Sequence, residues 1–336
     1  MMSQVGHLPF YANDPRCKIV RIAESRPSIV AALAKQFGAD RIVADHRELL
    51  RDDAVDAVVM SAPRPATGPL TLEVLQAGKH LMAEKPMAHS AEQAERLVKA
   101  AAASDLIYAV GYMKRYDPGI LACKAAFDEI VGDGRMGRLL LARFYDYSNA
   151  YAVAPPPHVR PTESRTIRFD TWPTCPEWLD EKYRGVFVWF MNAGSHDLNL
   201  LRFFFPDSVE VVSARASADS CVTAMFKAED VTLVLEITKT VAGRWLEGAE
   251  FVFERGRIVL TIPSPMSVDK VAEVLIDDLD RGLKAQPVAT GTGWCLERQA
   301  IGFLDALSGS AKPLTTGVDG LGDMRLIEQM WKKATQ

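Results

Sequence analysis

Long runs of one charge sign, long apolar runs and paired cysteines are all missing from this sequence of 336 residues. Lysine plus arginine number 39 against 43 aspartate plus glutamate, a formal net charge of −4. Without a basic run, that balance offers no electrostatic footprint for nucleic acid. No apolar stretch approaches the roughly 18–20 residues that a membrane-spanning helix needs. Met1–Arg16 has neither the basic n-region nor the apolar h-region of a secretory signal. The five cysteines (Cys17, Cys123, Cys175, Cys221 and Cys295) are odd in number, far apart and without Cys-x-x-Cys spacing. They fit neither a disulfide framework nor a zinc site, and point to a reducing, cytoplasmic setting. No repeat, low-complexity tract or metal-ligand set is visible.

What is present reads as a soluble globular chain long enough for two domains, with 48% hydrophobic and 24% charged residues. "CKIVRIAES" (17–25) is a β-branched run ending in an acidic residue, and "SIVAALAKQFG" (28–38) has helical spacing with a stop at Gly38. "DAVVMSAP" (56–63) reads as a buried strand, "LTLEVLQAG" (70–78) as a helix and "KHLMAEKP" (79–86) as a strand. "SAEQAERLVKAAAAS" (90–104) is helix and "DLIYAVGYM" (105–113) strand again. Strands alternating with helices imply a parallel sheet covered on both faces.

After Asp117-Pro118 the pattern changes. A helix (119–131) leads to the strand "RLLLARFYDY" (138–147), and a proline- and aromatic-rich stretch from Ser148 to Arg184 reads as a lid or binding loop. "NAGSHDLNLLRFFF" (192–205) is helical, with "LLRFFF" as core, and four runs between 209 and 262 suit an antiparallel sheet. Amphipathic helices at 297–309 and 320–334 close the chain. The expectation is a Rossmann-type α/β domain over 1–117, followed by an α+β domain with an open, mostly antiparallel sheet over 118–336.

Glu84-Lys85-Pro86 follows a buried strand at the carboxyl edge of a parallel sheet, where ligands of such folds sit. A lysine held there can offer a proton or hydrogen bond to a reacting oxygen; a charged pair at a strand end is also commonly just solvated. Glu24 closes an earlier strand, where a carboxylate accepts hydrogen bonds from both ribose hydroxyls of an adenosine.

Four segments occur in the order and spacing of one family: "DAVVMSAP…AGKHLMAEKPMA", "VGYMKRYDP", "NAGSHDLNLLRFF" and "AIGFLDALSGSAKPLTTGVDGL". Over nearly its whole length, from about Gly6 to Trp331, the chain resembles the glucose–fructose oxidoreductase / inositol dehydrogenase (Gfo/Idh/MocA) family. The resemblance implies a Rossmann domain, an NAD(P) cofactor, and hydride transfer at a hydroxyl- or keto-bearing carbon of a sugar, cyclitol or related polyol. It also implies a homo-oligomer paired through the open sheet, while charge and hydropathy give the expectation of no nucleic-acid or membrane partner. By position, Lys85 matches the lysine that touches substrate hydroxyl and nicotinamide ribose, with Glu84 beside it and Pro86 after a cis bond. His196 matches the histidine of the family's Asp-x-Gly-x-His pattern, a proton acceptor with an ordinary pKa near neutrality. The acidic member is Asn192 here and a later aspartate is Asn199; neither amide can take a proton. That departure concentrates acid–base work on Lys85 and His196 and leaves Asn192 a substrate-binding role.

The same resemblance assigns Ser61, Ala62 and Pro63 to the cofactor turn, where Arg64 and Thr67 replace the usual Asn and His. Glu24 favours NAD by repelling a 2′-phosphate, whereas Ser25 and Arg26 could hold that phosphate and admit NADP. Arg115 is expected where the domains meet, either beside nicotinamide and substrate or as a bridging ion pair. The aromatics Tyr145, Tyr147, Tyr151, Trp172 and Trp178 either stack on substrate, Tyr147 and Trp172 first, or pack the loop onto its own domain.

Aligned to the family, Met1, Met2 and Ser3 fall on the last positions of the glycine turn that cradles pyrophosphate, so Met2 and Ser3 become cofactor-binding candidates. The first strand and two glycines of that turn then have no counterpart in "MMSQVGHLPF". Losing about six apolar residues from a central strand costs on the order of 10 kcal/mol at roughly 1.5–3 kcal/mol each. Two expectations follow: an enzyme whose start lies upstream of Met1, or a cofactor-free relative that binds a ligand or serves as a partner subunit.

Overall fold

The computed structural model describes residues 1–103, 105–147, 155–164, 168–206, 209–240 and 244–336. A π-helical turn (Ser3–His7) runs into α1 (Leu8–Asn13). Strands and helices then alternate: β1 (Ile22–Ala23), α2 (Pro27–Phe37), β2 (Ile42–Val43), α3 (His46–Leu50), β3 (Ala57–Met60), α4 (Arg64–Gln76), β4 (His80–Glu84), α5 (Ala91–Ala102) and β5 (Tyr108–Gly111). Helix α2 begins on Pro27, whose fixed φ suits a first turn, buries Ile29 and Leu33, and stops at Gly38, where φ is +90°. Helix α4 begins six residues before the expected 70, because Pro65 sits in its first turn and the helix tolerates Pro69 inside.

The expected parallel sheet is present in two pieces. β1 pairs with β2, and β3, β4 and β5 pair in that order, all parallel. Of the run 17–25 only Ile22–Ala23 is paired. A cavity of about 990 Å³ takes in residues of both facing edges, Ile19–Ala23 and Ala57–Met60, together with Leu33, Leu70, Val74 and Leu304 from the helices.

A 3-10 turn (Met113–Tyr116) and α6 (Pro118–Asp133) lead to β6 (Leu139–Asp146), α7 (Glu181–Asn192) and α8 (Ser195–Phe204). Then come β7 (Val209–Ala216), β8 (Cys221–Ala228), β9 (Val231–Thr238), β10 (Glu247–Phe253), β11 (Gly256–Ile262), β12 (Glu273–Asp278), β13 (Leu283–Pro287), α9 (Cys295–Leu307) and α10 (Gly317–Ala334). They build one eight-stranded sheet, order β13-β12-β11-β10-β6-β9-β8-β7, antiparallel except for the β6–β9 pair. Strand alternation separates its faces. Ala142, Phe144, Leu233, Leu235, Phe251 and Ile258 are buried under the helices, where Phe127, Phe204 and Phe251 stack with centroids 4.6–5.5 Å apart. Arg143, Tyr145, Met225 and Leu275 point to the open face.

Helices α9 and α10 return to the first domain. Thr315 exchanges hydrogen bonds with Val110 on β5, N–H to O 2.9 Å and Oγ1 to O 2.5 Å. Trp331 of α10 is fully buried against Phe187 and Phe190 of α7. Among the described residues no helix is long and apolar enough to cross a membrane.

Asp117 joins the two parts. Its buried carboxylate accepts from the N–H groups of Gly119 (2.8 Å) and Ile120 (3.3 Å), capping α6, and from Ala272 (3.0 Å) before β12. Gly119 is required beside it, since a Cβ there would lie 1.8 Å from the Ala272 oxygen. Asp117→Ala removes an N-cap, worth about 1 kcal/mol, and leaves the buried Ala272 N–H unpaired at about 1–3 kcal/mol. Urea unfolding should show a loss of about 2–4 kcal/mol with unchanged slope. A loss under about 0.5 kcal/mol would mean that water replaces the carboxylate.

Candidate active site

Strand β4 carries Leu81, Met82 and Ala83 fully buried and delivers Glu84-Lys85 to its carboxyl end, followed by the cis Lys85–Pro86 bond. The Lys85 ammonium donates to the main-chain oxygen of Asn192 (2.5 Å) and lies 3.4 Å from its Oδ1. Asn192 is the last residue of α7, and α8 starts three residues later. The break falls at Gly194, where a Cβ would meet the Phe190 ring at 2.6 Å. It places His196 in the first turn of α8, buried, with the Tyr112 ring edge-on at 5.6 Å.

Burial dominates the electrostatics. It lowers Lys85 to about 8, with Glu84 opposing and the Arg64 and Lys114 charges adding to the fall. Burial also pushes His196 well below the usual histidine range, reinforced by Lys85 and Lys114. The imidazole is therefore neutral at physiological pH, and its Nδ1 has no hydrogen-bond partner. A lysine that titrates near neutrality beside a neutral histidine is a pair able to move one proton to or from a substrate oxygen.

The large cavity reaches the end of β3 but not that of β4. Glu24, Ser25 and Arg26 after β1, Ser61 and Ala62 after β3, and Ser3, Gln4 and His7 of the first turns line it; Lys85 and His196 do not. Glu24 is already engaged: Oε1 accepts from the N–H groups of Ser25 (2.9 Å) and Arg26 (3.0 Å) and from Arg26 Nε (2.9 Å), and Oε2 from Arg26 Nη2 (2.5 Å). These bonds hold its carboxyl below the ordinary range despite burial.

Comparison with known proteins agrees with this layout. Residues 1–112 match the family model described as "Oxidoreductase family, NAD-binding Rossmann fold". The first third of the chain is thus similar to the NAD-binding part of the Gfo/Idh/MocA oxidoreductases. It is 30% identical over 202 residues to an inositol 2-dehydrogenase of Rubrobacter xylanophilus, 60% of this chain and 48% of that one. A levoglucosan dehydrogenase of Pseudarthrobacter phenanthrenivorans is 27% identical over 36% of this chain and 30% of its own. The matched stretch thus spans about half or less of these curated relatives. A 3-ketoreductase of Actinomadura kijaniata, solved with NADP and TDP-benzene, shares the fold with TM-score 0.74 at 20% identity, over 99% of this chain and 94% of that one.

Against the Gfo/Idh/MocA expectation, the geometry redirects several side chains. Arg115 does not reach the cavity: Nη1 donates to the Leu314 oxygen (3.0 Å) and Nη2 to the Asn199 oxygen (2.9 Å), so it bridges domains. Tyr147 faces the open side of the sheet, bonded to Arg143 and Glu236, because it alternates with the inward-facing Phe144 and Asp146. Trp172 lies flat on Gly68 of α4, where a Cβ would come within 2.2 Å of its ring. Its main-chain N–H donates to the Pro65 oxygen (2.8 Å) and Arg96 sits 4.6 Å over its ring face. It packs the long segment onto the first domain. Trp178 is half exposed under Lys332, Tyr145 stacks on Tyr147 at 5.3 Å, and Tyr151 lies outside the described residues. Met2 joins an apolar cluster with Val5, Met113 and Leu296 instead of lining the cavity. Pro63 caps α4, and Glu84 is taken by His7 at 2.9 Å.

Sequence reading missed His7, Tyr112, Lys114 and the carboxylates Asp146, Asp197 and Glu247. Only Asp197, next to His196, carried a local signal. The charge arrangement predicts the titration of His196. Lys85→Met removes one of the two ammonium groups that oppose imidazolium, so the His196 pKa should rise, followed by NMR of the ring protons. An unchanged value would leave burial as the sole cause.

Proposed function

We propose that the chain is an NAD(P)-dependent oxidoreductase that moves hydride between a nicotinamide and a hydroxyl or keto carbon of a sugar, cyclitol or related polyol. The observation that carries this is Lys85 at the carboxyl end of the parallel sheet, its ammonium on Asn192 at the end of α7, just before the buried His196 of α8. Part of the wall of the cavity of about 990 Å³ also suits such a cofactor, the rest being apolar, with Leu33, Val58, Leu70, Val74 and Leu304. Glu24 at one end would accept ribose hydroxyls, Ser61 and Ala62 would flank the path toward the reacting end, and Ser3 and Gln4 stand between. The nicotinamide, when bound, supplies the hydride acceptor or donor.

The rest is done by this chain's own side chains. Lys85 donates to the reacting oxygen and stabilises its negative charge as the proton leaves. His196, neutral and buried, takes that proton. Asn192 orients Lys85 through its main-chain oxygen and offers its amide to a neighbouring substrate hydroxyl. The open sheet face, with Met225 and Leu275 exposed, supports pairing with a second copy. The five free cysteines support a reducing, cytoplasmic setting, and the net charge of −4 gives nucleic acid no purchase.

With a panel of cyclitols and sugars, Lys85→Met and His196→Gln should each lower turnover about 10²–10⁴-fold while cofactor affinity, read by fluorescence titration, changes little. Near-normal turnover in His196→Gln would remove that residue from the chemistry. Because Arg26 is tied to Glu24, Glu24→Ala should free the guanidinium. NAD should then bind more weakly, NADP more tightly. If wild type already prefers NADP tenfold or more, Arg26 and not Glu24 sets the choice.

A further inference from the structure

Strands β6 and β10 place Asp146 and Glu247 directly opposite each other, both buried on the helix-covered face. Like charges in directly opposed positions repel, and here a third carboxylate, Asp197 of α8, comes to the same point. The carboxylate oxygens of all three lie within 4.8 Å of one another. Into this triad comes the ammonium of Lys114, from the 3-10 turn after β5, in contact with Glu247 and 4.0 Å from Asp197. Lys114 belongs to the nucleotide-binding side and the three carboxylates to the other domain. Trp245 Nε1 donates to Glu247 from 3.1 Å, and Asp197 Oδ2 has no partner.

Burial among neighbouring carboxylates favours the protonated form of Asp197. Burial raises its carboxyl to about 7, with Lys114 opposing and Asp146 adding. Asp197 is also the residue that follows His196 on α8.

We propose that Lys114 is a positioning residue for His196: by seating a buried carboxylate triad across the domain seam, it fixes the first turn of α8 opposite Lys85. The groups that face Asp197 are Lys114 from the turn after β5, Asp146 from β6, Glu247 from β10 and His196 on its own helix. Lys85 and Lys114 in turn face His196. The inference rests on the functional reading for its kinetic arm only.

Two measurements test it. Infrared difference spectra of the whole protein between pH 5.5 and 8.5 need no substrate. Wild type should lose the carbonyl stretch of a buried protonated carboxyl with a midpoint near 7, and Asp197→Asn should lack that component. Folding raises this carboxyl, so the stability it contributes is present below the ordinary carboxylate range and is lost as pH rises through about 7. The thermal midpoint of wild type should therefore fall more than that of Asp197→Asn over this interval. Kinetically, Lys114→Met should lower kcat about 10- to 100-fold with a small change in KM, the signature of a displaced group, and Lys114→Arg should restore most of it. A wild-type kcat in Lys114→Met, or an infrared band that survives in Asp197→Asn, overturns the proposal. If wild type itself turns over no polyol, the functional reading fails while the infrared arm still decides the cluster.

Discussion

Three charged side chains within four residues, Lys114, Arg115 and Asp117, are each about 95% buried in the turn that leaves β5. A buried charge is destabilising unless fully answered, and each of these is answered from the second domain or the returning C-terminal segment. Lys114 meets carboxylates of α8 and β10; Arg115 meets main-chain oxygens at 199 and 314; Asp117 meets main-chain N–H groups at 119, 120 and 272. Undocking the domains would strand all three at once. That makes the seam specific as well as tight, because an apolar seam could slide while a set of paired charges has one register.

The consequence reaches the chemistry. Lys85 hangs from the first domain and His196 from the second, so the distance between them is the distance across the seam. Burial lowers both, and the same burial raises Asp197 beside His196. One low-dielectric region thus sets three proton affinities, drawing Lys85 and Asp197 towards neutrality and keeping His196 uncharged.

The long segment between β6 and α7 adds a second link in its described parts. Val159 exchanges two hydrogen bonds with the Gln4 side chain, both 3.0 Å; Glu163 accepts from the Ser28 N–H at 2.7 Å; Phe169 lies 5.6 Å from His46. Trp172 then lands on Gly68. Gln4, His46 and Phe169 all line the large cavity, so the segment fastens beside its mouth. The aromatics that read as candidate sugar platforms serve instead, in Trp172 and Tyr147, to hold this segment and the open sheet face.

Local pattern was enough for the strand–helix alternation, the antiparallel runs from 209 to 262 and the closing helices, because period and turn residues are written within ten or so neighbours. His196 and Asn192 were candidates only through the family resemblance, and Lys85 also through its place at a strand end. Helix α7 was not legible, since it starts at the end of a stretch rich in proline and aromatics and is stabilised by Phe187 and Phe190 packing on Trp331, some 140 residues away. The hairpin β12–β13 was equally silent, being polar on most exposed positions. Nor could sequence say which way Arg115 turns or that β1 and β3 face a common cavity. Least legible was the carboxylate triad: Asp146 and Glu247 are a hundred residues apart in the chain and opposite only because β6 and β10 pair. Charge proximity of that kind is a property of register, and register exists only once the sheet has formed.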